Sequence, residues 1–209
     1  MPVADEKKYF RAILTETRAS MTAKLAAALS ARVQATFLDS AWYRDSRSLI
    51  LYSPFSNEVS TDTIFEAALA SGRTIFYPRV VRASHTLSIS EVKSRSELRP
   101  GAYGIFEPGT ASIDAATLPP CVVVTPGVAF TRTGERIGRG GGHYDRMIAD
   151  LPHHAITVGL AYSFQLLDRV PQAEHDQRLN FVITESAIYS AATSEWRESG
   201  LRSQGGIPR

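Results

Sequence analysis

The chain predicts an α/β protein, a three-layer α/β/α arrangement with a mostly parallel central sheet covered by helices on both faces. Short apolar runs of strand length, such as SLILYS at 48–53, TIFYP at 74–78 and CVVVT at 121–125, alternate with stretches of helical periodicity. These runs lack the strict polar alternation of a half-exposed strand, which is the mark of strands buried on both sides. At 209 residues the chain is long enough for one well-buried core.

From Asp5 to Thr17, the residues Phe10, Ile13, Leu14 and Thr17 fall on one side of a helix. Lys7, Arg11 and Arg18 share a stripe beside that face, because offsets of four and eleven residues return a side chain to nearly the same direction. A second helix starts with Ser20 or Thr22 as its cap, carries Leu25, Leu29, Val33 and Phe37 at every fourth position, and ends near Asp39. Strand 48–53 follows, then a helix with Ile64, Phe65, Ala68 and Leu69 that Gly72 stops, then strand 74–78; strand, helix, strand at this spacing is a parallel crossover. A third strand is expected at 87–92, and the Gly-, Pro- and Ser-rich segment 93–116 reads as an irregular arm at the active site. Strand 121–125 leads through PGVAF into a glycine loop, a helix over 143–150 and strand 156–161, a second crossover; a last strand covers 180–184. One domain over 1–190 and a disordered polar tail over 191–209 are expected.

Lys and Arg total 23 against 21 Asp and Glu, too even a balance to mark a nucleic-acid or membrane surface. The N-terminus has no apolar signal core, and no apolar run approaches a bilayer span, so a cytoplasmic protein is expected. The single cysteine, Cys121, lies in an apolar run and reads as core packing in a reducing compartment.

The chemistry concentrates in TGERIGRGGGHYDR, residues 133–146. Gly138, Gly140, Gly141 and Gly142 let the backbone approach an anion and turn N–H groups toward it, and a helix starting near His143 adds its own free donors. Arg136, Arg139 and Arg146 surround the turn with guanidinium groups suited to phosphate oxygens. It is not a P-loop, since no Gly-Lys-Ser or Gly-Lys-Thr ending is present. Asp145, in the first turn of the helix, is placed either to stabilise that helix or to hold magnesium against bound phosphates. Asp176, in AEHDQRLNF, is a second candidate, whereas the histidines show no zinc spacing.

PGVAF followed by GERIGRGGGHYDR resembles the signature of the 5-formyltetrahydrofolate cyclo-ligase family, and the resemblance extends over nearly the whole chain. Lys7 and Arg11 match its N-terminal Lys-x-x-x-Arg, NEVST from Asn57 its glutamate segment, and YPRV from Tyr77 its second strand. GIFEP from Gly104 and EHDQRLNFVITE from Glu174 match later landmarks. The resemblance implies a NagB/RpiA/CoA-transferase-like fold, a monomer, and an ATP- and Mg2+-dependent reaction. ATP phosphorylates the formyl oxygen of 5-formyltetrahydrofolate, N10 attacks the iminophosphate, and phosphate leaves as 5,10-methenyltetrahydrofolate forms. It further implies that Lys7, Arg11, Arg136 and the loop Gly138, Arg139, Gly140, Gly141, Gly142, with His143 and Tyr144, hold ATP, while Asp145 and Asp176 coordinate magnesium. Glu58 would bind the pterin, with Arg11, Ser53, Tyr103, Arg139, His143 and Tyr144 lining the folate pocket. Two positions depart from the pattern: Thr131, where an Asp is common after PGVAF, and His143, where Tyr is usual.

Two other readings compete. A divergent paralogue would act on another nucleotide or phosphorylated substrate, against which the Lys7, Arg11, Glu58 and Asp145 set weighs. A nucleic-acid module would use the basic helix and Arg139, and a steep salt dependence of binding would mark it.

Overall fold

A computed structural model describes residues 2–109, 112–113, 118–191 and 197–198. In chain order the elements are α1 (Val3–Ala19), α2 (Ala23–Leu38), α3 (Ala41–Asp45), β1 (Ser48–Ile50), α4 (Asp62–Ala70), β2 (Thr74–Val81) and β3 (Thr86–Glu91). Then follow β4 (Arg99–Pro100), β5 (Phe106–Glu107), β6 (Cys121–Thr125), β7 (Ala129–Thr131), β8 (Arg136–Ile137) and α5 (His143–Ala149). β9 (Ile156–Leu160), β10 (Leu166–Leu167), β11 (Phe181–Ile183), β12 (Ala187–Ser190) and β13 (Arg197–Glu198) complete the chain.

The main sheet runs β13-β12-β11-β9-β6-β1-β2-β3. Its five central strands, β11, β9, β6, β1 and β2, pair in parallel, and β3, β12 and β13 add antiparallel edges. Both expected crossovers are present, since β1 and β2 pair in parallel around α4, and β6 and β9 around α5. Alternate side chains of each strand divide between two cores. Leu49, Ile75, Tyr77, Val122 and Val124 join Val33 and Phe37 of α2 and Ile64, Phe65 and Ala68 of α4 on one face. Ile50, Phe76, Cys121 and Val123 join Met147 of α5 on the other. This is the predicted helix-sheet-helix layering. Cys121 is buried in the second core, and burial pushes its thiol up to about 11.

Thr22 caps α2 by accepting from the Leu25 N–H, one of the two caps the spacing allowed. The α4 cap is less local: Thr61 makes no side-chain bond there, and buried Gln34 of α2 accepts the Thr63 N–H at 2.8 Å instead. β1 stops at Ile50, three residues short of expectation, after which the chain turns away to build the site. β2 passes Pro78 and reaches Val81, where a tight turn returns it as β3; β1 has ended by then, so the proline sits where β2 lacks a neighbour on that side. A three-stranded sheet, β10-β7-β8, was not foreseen. It packs Ala129 and Ile137 against Leu14 of α1 and so seats the first helix over the glycine loop. The short helix α3 and strand β12 also went unforeseen, each too short for a periodic signal. Segment 93–116 is an arm as expected, with two single-turn helices and the β4–β5 ribbon; residues 110–111 and 114–117 lie outside the described part. Most of the tail 191–209 lies outside it as well.

Candidate active site

The described residues enclose a cavity of about 770 Å³ beyond the carboxyl ends of β6, β1 and β2, where ligands sit in open parallel sheets. At one end α1 crosses the glycine loop. Arg11 Nε donates to the Gly138 carbonyl at 2.8 Å. Gly140 has φ +109°, and a Cβ there would meet the Arg11 guanidinium at 3.5 Å; the backbone thus holds a conformation L side chains rarely adopt, directly beneath a cation. Gly142, at φ +64°, turns the chain into α5.

Two ion pairs bracket this loop. Buried Arg136 donates to Asp145 Oδ1 at 2.8 Å and to the Pro126 carbonyl at 3.3 Å. Lys7 Nζ donates to Asp176 Oδ2, and both side chains are about nine-tenths buried. Burial works to raise the Asp176 carboxyl, but the Ala173 N–H and Lys7 together hold it below the usual carboxylate range. The N–H of Gln177, next to Asp176, donates to Asp145 Oδ1 at 3.3 Å, so the two aspartates reach the same side of the cavity. The structure therefore brings together Lys7, Arg11, Arg136, Asp145 and Asp176 from four separate segments. Among the described residues no group of three or more His, Cys, Asp or Glu converges as a metal-ligand set.

Around Glu58 the lining changes character. Ser56 and Asn57 both have positive φ, and Asn57 Nδ2 donates to the carbonyls of Arg18 and Met21 at the end of α1, which fixes this loop. Glu58 Oε1 accepts from Arg139 at 2.9 Å and lies 3.6 Å from the Arg18 guanidinium, while Oε2 accepts the Phe55 N–H at 3.1 Å. Arg139 lies over the Phe55 ring at 4.6 Å. Tyr144 also lines the cavity, and burial, with Glu58 adding to it, pushes its hydroxyl well above the usual phenol range.

The stripe of Lys7, Arg11 and Arg18 thus turns inward, not to solvent. Arg18 is 2% exposed and donates to the Ser56 and Gly127 carbonyls, tying the Glu58 loop to the start of PGVAF. Burial lowers its pKa from the ordinary value, with Glu58 opposing. Its place in the stripe was the sequence signal for it; its partner was not legible. Ser53 reaches the cavity, but its hydroxyl donates to the Phe106 carbonyl at 2.6 Å and so anchors the arm. Arg146 departs from expectation, since it donates to the carbonyls of His85 and Gly141 and holds the loop from outside. His143 lines the cavity; burial, then Arg146 and His85, lower its pKa. Thr131 accepts the Glu135 N–H at 3.1 Å and so closes the β7–β8 turn. Tyr103 lies in the single-turn helix Ala102–Gly104, and its side chain is outside the described part. Glu107 and Phe55 are cavity residues that sequence reasoning did not select.

A parallel α/β sheet whose strand ends open on a cavity lined by cations, a glycine loop and a carboxylate beside aromatic rings has the architecture of an α/β enzyme cleft. Residues 3–185 match the family model described as the 5-formyltetrahydrofolate cyclo-ligase family. A probable 5-formyltetrahydrofolate cyclo-ligase of Caenorhabditis elegans is 30% identical over 159 residues, covering 71% of this chain and 77% of that protein. The 5-formyltetrahydrofolate cyclo-ligase of Mus musculus is 25% identical over 88% of this chain and 92% of its own. The solution structure of 5,10-methenyltetrahydrofolate synthetase from Aquifex aeolicus superimposes with a TM-score of 0.78 at 26% identity, covering 94% of this chain and 98% of that one. The chain belongs to the 5-formyltetrahydrofolate cyclo-ligase family, and it is an enzyme. No helix among the described residues is long and apolar enough to cross a membrane.

Proposed function

We propose that the protein couples ATP hydrolysis to the cyclisation of 5-formyltetrahydrofolate, releasing 5,10-methenyltetrahydrofolate, ADP and phosphate. What supports this most directly is one cavity that holds Lys7, Arg11, Arg136 and the glycine loop together with Glu58, so that a triphosphate and a folate have room to meet. The formyl oxygen attacks the γ-phosphorus and ADP departs; N10 then adds to the activated formyl carbon, loses its proton, and the C–O bond to phosphate breaks. Little covalent chemistry falls to the protein, so catalysis is positioning and charge neutralisation.

In this reading Lys7, Arg11 and Arg136 neutralise the phosphate oxygens, and the N–H groups of Gly138, Arg139, Gly140, Gly141 and Gly142 cradle them. Asp145 and Asp176 fit a magnesium ion, because that ion takes one or two carboxylates and fills its remaining positions with water and phosphate. Both carboxylates face a cation of the protein, Arg136 and Lys7 respectively, and these two cations would be free to turn to phosphate oxygens if Asp145 and Asp176 held a magnesium ion, which would supply further charge neutralisation. Glu58 accepts from the pterin, and His143, Tyr144, Tyr103, Ser53, Arg11 and Arg139 border the folate. Purified protein mixed with ATP, Mg2+ and 5-formyltetrahydrofolate should develop the methenyl chromophore; its absence would refute the assignment.

A further inference from the structure

The cavity contains a second carboxylate whose surroundings differ from those of Glu58. Glu107, at the end of β5 in the arm, is 8% exposed and lines the cavity. Its Oε1 accepts the Val80 N–H at 3.2 Å, beyond the point where β1 ceases to pair with β2. Among the described residues Oε2 has no hydrogen-bond partner, and no Lys, Arg or His lies within ion-pairing distance. A Cβ on Gly101 would fall 2.3 Å from Oε2, so the arm lacks a side chain at the place this oxygen fills. Glu58, by contrast, has both oxygens engaged and two guanidinium groups beside it.

Serving the Val80 N–H does not require a charge, because a glutamine carbonyl would accept that bond equally well. A buried carboxylate without a cation is unfavourable until further donors reach it. The donors cannot come from phosphates or from the glutamate end of a folate, both of which are anionic and repelled. The uncharged, N–H-rich end of the substrate is the reduced pterin ring. We infer that Glu107 is a substrate-binding residue that accepts N–H donors of this ring, so that two carboxylates, Glu58 and Glu107, orient it. The unpaired charge also excludes the reversed pose, which would bring a carboxylate tail against it.

This inference rests on the folate reading of the cavity, and its test separates the two. Glu107→Gln retains the Val80 bond and the side-chain shape but places an amide donor where Oε2 was. The variant should melt with the parent and keep its KM for ATP, while KM for 5-formyltetrahydrofolate rises about tenfold. Calorimetric binding of two substrate fragments locates the effect: 6-methyltetrahydropterin should bind the variant about tenfold more weakly than the parent, and p-aminobenzoylglutamate equally to both. A folate KM within twofold of the parent, an equal rise in the KM for ATP, or a loss confined to p-aminobenzoylglutamate would each overturn the role of Glu107. A parent protein that binds the pterin fragment but forms no methenyl product would refute the proposed reaction and leave Glu107 to be judged by the fragment.

Discussion

Lys7 and Asp176 lie 169 residues apart and form a buried ion pair that ties the first helix to the loop before β11. Removing one partner of such a pair strands the other as an uncompensated buried charge, at a cost of about 3 kcal/mol. Lys7→Met should therefore lower stability in urea unfolding by roughly that amount and, under the proposed function, abolish turnover by removing a cation from the phosphate site. Asp176→Asn in the same background should restore most of the stability and none of the activity. If stability did not recover, the pair would not be the cause of the loss.

Asp145 and Asp176 approach the same region, joined through the Gln177 N–H. If they share one magnesium ion, the first substitution destroys the site and the second adds little. Asp145→Ala and Asp176→Ala should each reduce kcat/KM by at least about a hundredfold and raise the magnesium concentration needed for half-maximal rate, and the double variant should resemble either single one. Two small losses that multiply in the double variant would contradict a common site.

How much of this was legible in the sequence depends on the range of the interactions involved. Helices α1, α2, α4 and α5 follow from periodicity and caps, and the central strands from short unbroken apolar runs, because these signals are carried by each segment's own residues even where its partners are distant. Elements of two to five residues, such as α3 and the β7–β8 hairpin, carry no period, and tertiary contacts decide them. In the site, Lys7, Arg11 and Arg18 were visible as a stripe and Gly138 to Asp145 as an anion loop. That Arg18 faces Glu58, or that Asp176 meets Lys7, is a fact of the fold alone. Glu107 lies within GIFEP, a landmark of the resemblance, but in an irregular arm neither spacing nor composition gives that acid a role.

Gly140 offers a more local test. Its φ of +109° disfavours any side chain, by about 1–3 kcal/mol. Its position under Arg11 means that relaxation would displace that guanidinium. Gly140→Ala should raise KM for ATP by about tenfold or more, leave binding of the isolated pterin fragment unchanged, and lower the melting temperature by only a few degrees. A variant with the parent's KM for ATP would show that the loop conformation is not used to hold phosphate.

Cys121 connects the core to pH. Burial raises its thiol from the ordinary value of 9.0 to about 11. The folded protein therefore keeps this proton where the unfolded chain has lost it, and stability present in full below pH 9 declines as pH rises toward 11. That difference amounts to about 3 kcal/mol for the one group at the alkaline end. Tyr77, raised to about 12 mainly by burial, extends the same trend at higher pH. Urea unfolding should show the parent's stability level from pH 7 to about 9 and falling from there to 11, with a shallower fall for Cys121→Val, whose side chain suits the apolar core that Ile50, Phe76, Val123 and Met147 form with this residue. The native thiol should also resist aromatic disulfide reagents at pH 8 and react fully once the chain is unfolded. Rapid labelling of the native state, or parallel alkaline limbs for the two proteins, would show that the thiol is not held in the closed core.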